Sequence, residues 1–193
     1  MHRARYVKDY YEAIALDEDK RLFRDAYHRL EFIITLHYLK KYLDKYFPNG
    51  GKVLDCGCGS GHYSLALAEI GFDIVLVDLS FNLLKIARKR FLKRNLDNHA
   101  ISFMVASSTN LNFLPDNFFD VVLCFGPLYH LIEPTDRVKT ISEIRRVLRD
   151  NGLLFISAVS LFGVFGVVIK EFSWEFKDEK HGEMFISGVH RAE

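Results

Sequence analysis

Apolar residues recur along the chain with two periods. Leu22, Phe23, Ala26, Leu30, Ile33, Ile34, Leu36, Leu39 and Leu43 are spaced near three and a half, which predicts a helix from about residue 20 to 46. Pro48, Asn49, Gly50 and Gly51 stop it. Short, mostly apolar runs follow at 52–55, 73–78, 101–105, 119–125 and from 153, the last opened by Asn151-Gly152. Runs of this length without alternation predict strands buried on both faces. Helical spacing returns at 63–70, 81–95 and 134–148, with Gly71 ending the first and Ser80 as N-cap of the second. Strand-helix units of this kind predict a doubly wound α/β fold, Rossmann-like, with a mostly parallel sheet and helices on both faces. One domain is expected, divided into an N-terminal helical segment or lid (1–47), a cofactor-binding core (48–160) and a short C-terminal extension (161–193). No repeat or Ser/Pro/Gly-rich linker interrupts it.

Composition narrows the function classes. Of the 193 residues 49% are apolar, enough for a core. The 26 basic and 25 acidic residues leave a net charge of +1, so no long-range field gathers nucleic acid or anionic lipid, and no nucleic-acid partner is expected. The basic run at 85–94 carries apolar residues at helical spacing and reads as a solvated helix face. Cys56, Cys58 and Cys124 form no disulfide framework and suit a reducing cytoplasm. The N-terminus lacks the apolar core of a signal peptide. The uncharged stretch 153–169 is shorter than the ~20 residues a spanning helix needs and is broken by two serines and two glycines, so no membrane span is expected.

The chemistry concentrates at Val53-Leu54-Asp55-Cys56-Gly57-Cys58-Gly59-Ser60-Gly61, where the first strand turns into a helix. Ligands of open α/β sheets bind beyond the carboxyl ends of the strands. Glycines there let main chain approach a ligand closely. Asp78 ends the next strand, where a carboxylate can accept from both hydroxyls of a ribose; capping the following helix is its structural alternative. A dinucleotide fingerprint places glycines first, third and sixth. Here they stand first, third and fifth, with His62 sixth. The pair Cys56 and Cys58 supplies two ligands where a structural zinc site uses four, so no metal is expected.

The pieces VLDCGCGSG, IVLVDLS, LPDNFFDVVLCFGPLYHL and EIRRVLRDNGLLFISAVS together resemble the class I S-adenosylmethionine-dependent methyltransferases over residues 20–160. The resemblance implies a cofactor loop at Asp55, Cys56, Gly57, Cys58, Gly59 and Gly61, ribose recognition at Asp78 with Leu79, and a border to the methyl group at Phe125 and Gly126. Where the family carries an acid for the adenine amino group, this chain has Ser107 and Ser108. Phe125 to His130 (FGPLYH) resembles a branch acting on small molecules and lacks the Asn/Asp-Pro-Pro-Tyr element of nucleic-acid amino methylases. His130 is the candidate base, and Tyr129 a second catalytic candidate or a pocket wall. Tyr10, Tyr11 and Arg21 lie in the segment that covers the cofactor in similar enzymes.

The implied function is methyl transfer to a small-molecule acceptor. Alternatives are a non-catalytic S-adenosylmethionine-binding module and an NAD-dependent oxidoreductase. The family fold closes with a helix and an antiparallel strand pair, and about 35 residues after Ala158 are too few for all three at ordinary lengths. The C-terminal pair is therefore expected to be incomplete, the chain truncated or naturally short, with at most one further strand at 184–189. The apolar surface near 161–169 is then expected to be uncovered and open to homodimer formation.

Overall fold

The computed structural model describes residues 2–160, and its fold is that of the compact unit Met1–Ile156. In chain order the elements are α1 (His2–Ala13), α2 (Ala15–Arg21), α3 (Ala26–Tyr46), β1 (Lys52–Cys56), α4 (His62–Ala68), β2 (Asp73–Asp78), α5 (Phe81–Lys93), a 3-10 turn, β3 (Ala100–Val105), β4 (Phe119–Cys124), α6 (Pro127–His130), α7 (Pro134–Val147) and β5 (Leu148–Ile156). The strand, apolar surface and dimer face expected within 161–193 lie outside the described residues.

The five strands form one parallel sheet in the order β3-β2-β1-β4-β5. Strand order reverses at β1, so the crevice beyond β1 and β4 is the switch point of a doubly wound sheet. Side chains alternate across it. Val53, Ile74, Leu76, Val121 and Leu123 pack under α3, α4 and α5 through Leu39, Leu43, Leu67, Leu84, Ala87 and Phe91. Leu54, Val75, Val77, Val122 and Cys124 face the other way, onto Ile144 and Val147 of α7. The β3-to-β4 crossover has no helix; Leu111 and Leu114 of that loop fill the same layer.

Burial on both faces holds for β1, β2 and β4. Among the described residues, the end strands β3 and β5 are only partly buried, each pairing with one neighbouring strand. Strand β5 begins earlier than Gly152: Leu148 pairs with Phe119, Leu153 pairs with Val121, and a register shift absorbs the residues between, with Asn151 left-handed at φ +64°.

The continuous helix expected over 20–46 is two helices. Asp25 adopts an extended conformation and its carboxylate accepts from His28 N–H at 2.9 Å, an N-cap that starts α3 afresh. Apolar spacing runs through the break because Leu22, which lines the cavity described below, is buried as well. Ser80 caps α5 as expected, accepting from Leu83 N–H at 3.1 Å. Along α5, Lys85, Arg88, Lys89, Lys93 and Arg94 face solvent, whereas Arg90 is turned inward. Among the described residues, no helix is long and apolar enough to cross a membrane.

Candidate functional site

The turn after β1 is tied to the end of β2: Gly57 N–H and Cys58 N–H both donate to the Val77 carbonyl, at 2.7 and 3.1 Å. Two glycines in it do different work. Gly57, at φ +82°, lies against α6, and a Cβ there would come within 2.6 Å of Pro127 Cδ. Gly59, at φ +54°, would meet nothing within 4 Å. Its bare main chain borders a cavity above the carboxyl ends of β1, β2 and β4.

Asp78 sits at that border. One carboxylate oxygen accepts from Gly59 N–H at 2.8 Å and the other from Ser80 N–H at 2.8 Å. Burial raises its pKa, against main-chain N–H groups that favour the charged form. Ser80, and not Asp78, caps α5, and Asp78 lines the cavity. Asp55, at the end of β1, is almost wholly buried and accepts from Ser64 Oγ at 2.5 Å. Burial pushes its carboxyl up to about 7, the Ser64 hydroxyl working against that and the charge of Asp78 with it.

Leu79, Ser107, Ser108, Phe125 and Gly126 line the same cavity. The two serines have partners within the protein: Ser107 Oγ lies 2.8 Å from Thr109 Oγ1, and Ser108 Oγ lies 3.1 Å from Thr140 Oγ1 in the core. Tyr129 and His130, on α6, form part of the far wall. The Tyr129 hydroxyl donates to the Phe125 carbonyl at 2.8 Å. Tyr63, a wall residue that sequence reasoning missed, stands edge-on to Phe125 with ring centroids 5.2 Å apart.

The N-terminal helices roof the cavity. Tyr11 and Arg21 line it. Arg21 is paired twice, with Glu18 at 2.9 Å and with Glu31 at 2.9 and 3.3 Å, so its charge is balanced in place. The Tyr11 hydroxyl lies 2.9 Å from His130 Nε2. Burial lowers the His130 pKa and raises that of the Tyr11 phenol. One hydrogen bond joins the two side chains, its direction set by the imidazole tautomer.

Three expected site residues do not reach the cavity. Tyr10 is one helical position from Tyr11, about 100° around α1, and half its surface is in solvent. Cys56 ends β1 pointing into the α7 side of the sheet and is fully buried. Cys58, by contrast, lines the cavity and packs toward the opposite face of the sheet from Cys56. Gly61 starts α4, where a Cβ would lie 3.0 Å from Ala87 Cβ; its role is close helix packing. Sequence reading also passed over Glu12, Asp19 and Arg90. Glu12 accepts from Phe81 N–H and Asn82 N–H at 2.6 and 3.1 Å, and Asp19 pairs with Arg90. Their signal, acids in a polar segment and one base in a basic run, is visible only once α1 and α2 lie on α5.

This lining fits an adenosyl sulfonium. An inward carboxylate stands beside exposed main chain that no protein atom fills. Asp78, Glu133 and Asp136 also line the cavity, whose one arginine, Arg21, is already paired with Glu18 and Glu31, a surrounding suited to a cation. Residues 54–156, more than half the chain, match a methyltransferase domain family. The chain is 29% identical over 142 residues to YqeM of Bacillus subtilis (strain 168), a protein with methyltransferase in its name, covering 74% of this chain and 56% of that one. It is 30% identical over 127 residues to a ubiquinone biosynthesis O-methyltransferase of Xanthomonas axonopodis pv. citri, covering 66% and 49%. The chain thus spans about half the length of these relatives. Its fold superposes on the magnesium protoporphyrin IX methyltransferase ChlM of Synechocystis PCC 6803, solved with bound SAM, with a TM-score of 0.64 at 21% identity, over 76% of this chain and 72% of that one. The chain belongs to the methyltransferase domain family, in its class I S-adenosylmethionine-dependent form.

Proposed function

We propose that the protein transfers a methyl group from S-adenosylmethionine to a small-molecule acceptor bearing a hydroxyl, with His130 as the base. The observation that carries this reading is the imidazole of His130 in the cavity wall, its Nε2 already engaged by a hydroxyl, that of Tyr11. A substrate hydroxyl taking the place of Tyr11's would meet the same nitrogen.

S-adenosylmethionine, when bound, supplies a methyl on a sulfonium whose departure leaves a neutral thioether. The chain has little charge to stabilise on the leaving side; its task is alignment and exclusion of water. Asp78 and the Gly59 main chain are the residues to hold the ribose. Tyr63, Phe125 and Tyr129 wall the cavity, and the N-terminal helices cover it. His130 Nε2 accepts the acceptor's proton as the new bond forms. The roof favours an acceptor small enough to sit beneath it. The likeness to an O-methyltransferase of ubiquinone biosynthesis supports a hydroxylated one. Three free thiols support a reducing compartment, and we place the protein in the cytoplasm.

The test is formation of S-adenosylhomocysteine across a panel of phenols, catechols, aliphatic alcohols and amines. Turnover of hydroxylated members, lost in His130→Asn, is the expected result. Labelling confined to protein or nucleic acid would overturn the small-molecule reading.

A further inference from the structure

Arg90 is the one base of its run that leaves the solvated face of α5, and it joins two parts of the site that are distant in sequence. One guanidinium nitrogen donates to the carbonyl of Ser60 at 2.7 Å, inside the glycine turn. The other pairs with the carboxylate of Asp19 on α2. Asp19 in turn accepts at its main-chain carbonyl from His62 Nε2 at 2.8 Å, and His62 is the first residue of the helix that leaves the turn. Arg90, Asp19 and His62 keep only 18%, 26% and 17% of their side-chain surface in solvent, so this is no fluctuating surface pair. Glu12 adds a second attachment of the roof to α5, at Phe81 and Asn82, immediately after Ser80.

We infer that Asp19 and Arg90 are positioning residues that join the roof helix α2 to the cofactor turn, so that binding of the nucleoside and docking of the N-terminal segment strengthen one another. This rests on the adenosyl site proposed above. The turn's geometry on one side is set by Asp78 at Gly59, and on the other by Arg90 at Ser60. Releasing Asp19 frees the guanidinium to swing into water and leaves the Ser60 carbonyl, in a residue only 5% exposed, without its donor. A turn held at one end alone costs ligand affinity. By linkage, ligand that fixes the turn must fix α2 to the same degree.

The experiment is calorimetric titration of the intact protein with S-adenosylhomocysteine, alongside amide hydrogen exchange with and without it, for the wild type, Asp19→Asn, Arg90→Gln, Arg90→Lys and the double variant. Each single loss should weaken binding about tenfold, within the ordinary span of coupling between sites. The double variant should bind no worse than Arg90→Gln, because the two act through one contact. Arg90→Lys should recover part of the affinity, since an ammonium reaches one partner and a guanidinium two. Ligand should slow exchange across residues 6–21 in the wild type and not in Asp19→Asn, a readout that general destabilisation would not produce. Unchanged affinity in Asp19→Asn, or equal protection of 6–21 in both proteins, overturns the coupling; Asp19→Asn alone decides should Arg90→Gln fail to fold. A wild type that ignores S-adenosylhomocysteine overturns the adenosyl site and the coupling together.

Discussion

The hydroxyl of Tyr11 and the Nε2 of His130, 119 residues apart in the chain, are 2.9 Å apart in the fold. Through this contact the roof closes onto the wall where methyl transfer is expected, and burial lowers the pKa of the candidate base. Tyr11→Phe removes the hydroxyl and keeps the ring, so the His130 pKa should stay below its ordinary ~6.5. The acid limb of the kcat/KM profile should then lie below that pH in wild type and Tyr11→Phe alike, because the base must be deprotonated to work. An acid limb moved to higher pH in Tyr11→Phe would show that the hydroxyl, and not burial, sets the base.

His130→Asn should lower kcat by about 10²–10⁴, the ordinary worth of a positioned base, while leaving S-adenosylmethionine affinity near that of the wild type. Steady-state kinetics with equilibrium binding separate the two effects. A loss confined to cofactor affinity would assign His130 to the wall alone.

The glycines of the turn should divide by phenotype. Gly59→Ala meets no protein atom, so its folding cost is limited to the left-handed backbone, about 1–2 kcal/mol, and its main effect is loss of ligand affinity from a methyl group in the cavity. Gly57→Ala drives a methyl into Pro127 and should unfold several degrees lower with or without ligand. Thermal melts of both variants, with and without S-adenosylhomocysteine, check the division.

Asp55 predicts a pH dependence of stability. Its carboxyl, near 3.9 in an unfolded chain, stands at about 7 when folded because of burial. A folded pKa above the unfolded one gives stability that is complete below about pH 4 and is lost as pH rises through 7. Asp55→Asn, which keeps an acceptor for Ser64, should therefore gain melting temperature over the wild type at pH 8 and lose that advantage at pH 5. A difference independent of pH would contradict a titrating Asp55.

Much of this was legible before folding. Short apolar runs such as Ile74 to Val77 are buried on both faces, and only a central strand of a layered sheet demands that. The turn at Gly57 and Gly59 and the acid at Asp78 could be placed at the switch point because strand ends, not tertiary contacts, define it. Periodicity failed at Asp25: Leu22 and Leu39 are both buried and fit a single helical spacing, yet the Asp25 cap separates them. Tyr10 and Tyr11 could not be told apart without the angle at which α1 lies over the cavity. Arg90 was lost in a basic run whose other members are solvated, since nothing local marks which lysine or arginine a distant aspartate will meet. The hydroxyls of Ser107 and Ser108 likewise found Thr109 and Thr140, one of them 32 residues away.

The proposed ribose contact of Asp78 is tested most directly by calorimetric titration of the wild type and Asp78→Ala with S-adenosylmethionine. The wild type should bind one equivalent, and the variant should lose about 1.5–3 kcal/mol, the worth of a hydrogen bond to a charged group. Equal dissociation constants for the two proteins would remove Asp78, and with it the adenosyl site built around it.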